Sequence, residues 1–83
     1  MILPIIHMNG TSRQELIDQR TAVLDTIRAT LTALGKMSPN GRDYYPVPGL
    51  WDLADQVHGT RIYRLKEIHD EILAEAIAIS DSE

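Results

Sequence analysis

From Ser12 onward, apolar residues recur at intervals of three and four, and one polar, proline-bearing stretch divides the pattern in two. In the first run Ile17, Leu24, Ile27, Leu31 and Leu34 form a row into which Arg20 also falls, with Leu16, Val23 and Thr30 on its shoulder. Ser12-Arg13-Gln14-Glu15 has the form of a capping box, in which the serine hydroxyl takes the amide three residues on and the glutamate reaches back. Gly35 is the expected C-terminal cap. The spacing predicts a first helix over 12–34, about 33 Å long. A second row, Ala54, Val57, Leu65, Ile68, Ile72, Ala76 and Ile79, widened by Leu53, Ile62, Leu73 and Ile77, predicts a second helix over 50–79. Gly59 interrupts that row at a cost of about 1 kcal/mol against alanine. The apolar spacing carries across it and no proline follows, so one continuous helix is expected. Residues 1–11 alternate poorly and contain Pro4, which reads as an extended arm or an edge strand. Residues 80–83 form a polar tail.

The fold class that follows is all-α, a single domain built as an antiparallel two-helix hairpin with a short N-terminal arm. One hairpin covers one stripe of each helix and leaves the outer apolar faces wet. A homo-oligomer, dimeric or larger, with helices around a shared core is therefore expected. On the apolar row, Arg20 is expected to lay its stem along the hydrophobic face and send its head to water or to an acid on the neighbouring helix.

The connection at 35–49 is long for so short a chain, and its residues read as an ordered loop. Pro39 presets a turn, Asn40-Gly41 tolerates positive φ, and Pro46 and Pro48 stiffen the exit. Between them Arg42, Tyr44 and Tyr45 offer a planar cation and two aromatic faces with hydroxyl tips. His58 and Arg61, three residues apart early in the second helix, share a face at the same end. Bases stack on such rings, and guanidinium forks onto phosphate. At the other end Asn9, Thr11 and Ser12 bring small polar groups to the positive N-terminus of the first helix. In one hairpin that cap lies a helix length from the loop, whereas in an antiparallel oligomer it meets the loop of a neighbour. The competing readings are structural: the tyrosines close the open end of a helix pair, and Thr11 and Ser12 only cap.

Composition narrows the chemistry. With 83 residues, 43% apolar, no phenylalanine and one tryptophan, the core must be aliphatic. There is no cysteine, hence no disulfide, thiolate zinc site or thiol nucleophile. His7, His58 and His69 show no i, i+3 or i, i+4 pairing, and the acids near His69 read as a solvated helix face, so no metal and no cofactor is expected. No nucleophile elbow or phosphate-binding loop is present, and an enzyme is not expected. The net charge of −4 argues against general binding of nucleic acid, although all eight basic residues lie between Arg13 and Lys66 and leave room for a small anion there. Met1 to Ile6 is too short for a membrane span or signal peptide, which points to a cytoplasmic protein without membrane attachment.

The segments His7-Met8-Asn9-Gly10-Thr11-Ser12 and Pro39-Asn40-Gly41-Arg42-Asp43-Tyr44-Tyr45-Pro46, with His58 and Arg61 following, resemble a family of small helical-hairpin proteins of tailed phages and prophages. The likeness covers nearly the whole chain. Val47-Pro48-Gly49 departs from the glutamine and glycine more usual after that proline. The resemblance implies a phage origin, action in the host cytoplasm and no particular activity. Joined to the Arg-Tyr-Tyr loop, it leads to a non-catalytic protein that sequesters a small nucleotide immune signal, a cyclic nucleotide or an ADP-ribose-like molecule, between subunits and so counters host defence. Arg42 and Arg61 would hold phosphate, Tyr44, Tyr45 and His58 would contact the ligand, and Asn9, Thr11 and Ser12 of a neighbour would close the site. The alternative is a small interaction or structural module that engages a host or virion protein.

Overall fold

The computed structural model describes residues 1–82 as two long helices joined by an ordered loop, α1 over Arg13–Lys36 and α2 over Leu50–Asp81. Among the described residues there is no strand, so residues 1–12 make no sheet edge within the chain. Among the described residues, no helix is long and apolar enough to cross a membrane. Ser12 caps α1 as its sequence predicts: its Oγ accepts from the Glu15 amide at 3.1 Å. The reciprocal bond from Glu15 is not made.

The end of α1 differs from expectation. Gly35 stays helical and the helix runs on to Lys36, with Met37 as cap. Ser38 explains the difference, because its Oγ donates to the Gly35 carbonyl at 2.9 Å and satisfies one of the orphan acceptors that a left-handed glycine would otherwise serve. Positive φ is needed elsewhere. Asn40 is extended, with φ −101° and ψ 130°, and Gly49, the N-cap of α2, is the residue with φ at 80°. α2 passes through Gly59 without a break and ends two residues beyond the expected Ile79.

Three polar contacts fix the antiparallel register: Ser38 with His58, Arg28 with His69, and Arg20 with Glu75. The seam on α2 consequently follows Ala54, His58, Ile62, Leu65, His69, Ile72, Ala76 and Ile79, alternating fours and threes from His58 onward. Val57 and Ile68, expected inside, are 50% and 46% exposed. The two histidines displace them because each finds a polar partner on the facing side. Arg28 Nε donates to His69 Nε2 at 3.1 Å, so the His69 proton sits on Nδ1, 3.1 Å from Asp70 Oδ1. Arg20 behaves as expected, with one nitrogen 3.6 Å from Glu75 and another donating to the Leu16 carbonyl at 3.1 Å.

The buried apolar residues are few: Leu16 and Leu24 on α1, Ala76 and Ile79 on α2. Leu24 stands at the midpoint of α1 and the other three toward the end away from the loop. The molecule measures 63 × 20 × 17 Å, and its radius of gyration is 18.5 Å, whereas a compact chain of this length reaches about 12 Å. Its accessible surface is 6310 Å², against about 5,000 Å² for a compact monomer of this mass. The surplus is apolar in large part, since Ile2, Ile5, Met8, Leu53, Val57 and Ile77 each stand more than half or about half exposed.

Candidate binding site at the loop end

The loop is built by its own hydrogen bonds. Asn40 Oδ1 accepts from the Arg42 amide at 3.1 Å and caps a single 3-10 turn over Gly41–Asp43. The Gly41 carbonyl then accepts from both the Tyr44 and the Tyr45 amides, at 3.1 and 3.0 Å. The Tyr44 carbonyl accepts from Val47 at 3.2 Å, and the Val47 carbonyl from Leu50, also at 3.2 Å, so the turn is passed directly into α2. Trp51 ties the start of α2 back to the loop through Nε1, which donates to the Pro39 carbonyl at 3.3 Å.

This turn sends the two tyrosines different ways. Tyr44 is half-buried and lines a groove, while Tyr45 is 77% exposed. The groove, about 390 Å³ in volume, has an apolar wall made by Met37, Pro39, Leu50, Leu53, Ala54 and Val57 and a polar side made by Tyr44, His58 and Arg61. Three of the expected site residues are thus brought together. Arg42 and Tyr45 stand outside on the exposed surface of the loop. His58 is the most deeply set, 6% exposed, with Nε2 3.2 Å from Ser38 Oγ, so its first task is to join α2 to the end of α1. Asn9, Thr11 and Ser12 remain at the opposite end, about 36 Å away along α1.

The electrostatics of this end are set by what is missing around its cations. Among the described residues, no carboxylate lies within ion-pair distance of Arg42, Arg61 or Arg64. A second hollow on the same flank, lined by Gln56, Val57, Thr60, Arg61 and Arg64, extends the basic surface along α2. An exposed guanidinium with no internal partner keeps its five donors for water or for a planar anion. No group of three or more His, Cys, Asp or Glu side chains among the described residues is arranged to hold a metal ion.

Sequence reasoning named the polar half of this site and missed the apolar wall. Leu50, Leu53 and Val57 fall three and four apart, but Val57 and Leu53 are expected in the seam, and Leu50 is not singled out at all. No protein-family model, curated protein or solved structure matches the chain.

Proposed function

We propose that this chain is a phage-type, non-catalytic binding protein that assembles with copies of itself and holds a small nucleotide-like anion at the loop end of each hairpin. The observation that carries the reading is a pair of cations with no carboxylate in ion-pair distance among the described residues: Arg61 in the groove with Tyr44, and Arg42 on the exposed loop with Tyr45. Arg61 lies on the polar side of a groove and Arg42 on the adjoining loop, so phosphate contact and base stacking are available within one end of the molecule. Asn9, Thr11 and Ser12 complete the site only from a neighbouring copy. Such a protein would act by stoichiometric capture of a cyclic nucleotide or ADP-ribose-like immune signal in the host cytoplasm, blunting host defence.

Native mass spectrometry with a panel of cyclic nucleotides and ADP-ribose derivatives tests this. The expected result is nucleotide mass bound in proportion to subunits, with affinity falling at least tenfold by calorimetry in Arg42→Ala and in Tyr45→Ala. Oligomers that stay bare across the panel would end the nucleotide reading. A second reading, an interaction module for a host or virion protein, draws on the exposed apolar residues Ile2, Ile5, Leu53 and Val57. It predicts recovery of one stoichiometric partner from host lysate, undisturbed by added nucleotides.

A further inference from the structure

Two apolar surfaces of this chain are left without cover, and they are complementary. The first is the wall of the loop-end groove, where Leu50 is 37%, Leu53 59% and Val57 50% exposed. The second is the N-terminal segment, where Ile2 is 92%, Ile5 82% and Met8 97% exposed. These three residues stand three apart, the period of a polyproline-type extended segment, which suits a stretch containing Pro4. The segment has a poor seat within its own chain. Met1 and Ile2 lie beside Glu67, Asp70, Glu71 and Glu75 of α2, with Ala74 the one apolar residue of that hollow.

Ile5, in the middle of the segment, cannot meet the wall of its own molecule. Ile5 is eight residues from Arg13 and reaches at most about 29 Å from it. The groove lies beyond the far end of α1, about 36 Å away. In an antiparallel pair of hairpins, by contrast, the root of one segment stands level with the loop end of the other molecule.

Charge favours that same orientation. Residues 28–66, the loop half of the hairpin, hold six basic and three acidic side chains, a net +3. Residues 1–27 and 67–83, the open half, hold two basic and nine acidic side chains, a net −7. Parallel neighbours would set like charge against like, and antiparallel neighbours set the basic half of each against the acidic half of the other. Area agrees with a second copy as the occupant. The surplus of about 1,300 Å² over a compact monomer exceeds the roughly 800 Å² per partner that a standard interface takes.

We infer that the segment Met1 to Met8 of one copy lies in the loop-end groove of a second, antiparallel copy, and that the exchange is reciprocal. Ile2 and Ile5, about 9 Å apart in such a segment, match Leu50 and Val57, about 10 Å apart along α2. The apolar wall takes the segment, and Asn9, Thr11 and Ser12 follow it toward the partner's Arg61. The inference rests on the self-assembling part of the function proposed above and not on its ligand.

The chain has no cysteine, which makes a disulfide test clean. Ile5→Cys/Val57→Cys, oxidised at low micromolar concentration, should run as a covalent dimer on a non-reducing gel, and neither single variant should. A double variant that stays unlinked, or that closes within one chain, would overturn the inference. As a second measurement, Ile2→Asp/Ile5→Asp should keep its helical circular dichroism while self-association by sedimentation weakens at least tenfold; unchanged association would overturn it equally. Nucleotide binding is read separately by calorimetry on the unsubstituted protein. Cross-linked dimers that ignore nucleotides would leave the segment exchange standing and remove the ligand, and nucleotide binding without a cross-link would do the reverse.

Discussion

Replacing Gly49 and Gly59 by alanine, one at a time, should move stability in opposite directions. An added Cβ meets nothing within 4 Å at either position, so crowding is absent and the backbone decides. Gly49 sits at φ 80°, where a side chain costs about 1–2 kcal/mol. Part of that is offset, because alanine narrows the unfolded ensemble by about 0.4–1 kcal/mol. Gly49→Ala should therefore destabilise by about 1 kcal/mol. Gly59 is inside α2 with ordinary helical φ, so alanine there gains about 1 kcal/mol. The pair should stand about 2 kcal/mol apart, and for a chain of this size each 1 kcal/mol moves the melting midpoint by about 4–8 °C. Thermal and urea unfolding followed at 222 nm read both, at one fixed chain concentration because association shifts the midpoint. Equal stability of the two variants would refute the backbone account. A destabilised Gly59→Ala would refute the claim of open space at that position, since only a close neighbour could reverse the sign.

Two further substitutions probe the polar contacts of the seam. Arg20→Met, alone and combined with Glu75→Met in a double-mutant cycle, should show a coupling below about 1 kcal/mol by urea unfolding, because both side chains keep some water and Arg20 Nε already lacks a partner; a coupling above about 2 kcal/mol would contradict this. Ser38→Ala removes the hydroxyl that donates to the Gly35 carbonyl and partners buried His58, and should cost about 1–2 kcal/mol in the same assay, whereas an unchanged midpoint would show that neither bond matters.

How far the sequence could be read depends on the residue. The helices were legible because their three-and-four spacing is long, and Ser12 and Gly59 behaved as local rules predict. Arg20 likewise reached an acid across the seam. The face of α2 was not legible, because that helix carries two apolar stripes and hydropathy cannot choose between them. The choice falls to the partners of His58 and His69 on the other side, which are 20 and 41 residues away in sequence. Gly35 was misjudged for a similar reason: a serine three residues later supplies what the glycine was expected to supply. At the loop end, the residue types were evident, but only the 3-10 turn reveals that neighbouring Tyr44 and Tyr45 part company.

The placement of the most buried side chains bears on how the hairpin opens. Leu16, Ala76 and Ile79 gather at the end where the chain itself provides no connection, with Leu24 next in line at the midpoint of α1, while the loop holds the other end covalently. Chain connectivity alone would let the open end fray first, since closing it requires the longest loop and the largest entropy loss. The apolar clasp counters that gradient. The stretch around Ile27, Leu31, Ile62 and Leu65 lacks such a clasp and is only half-buried. Amide exchange should be slower at Leu24 and Ala76 than at Ile62 and Leu65, so the hairpin is held at its open side by a catch as it is held at the other by a hinge.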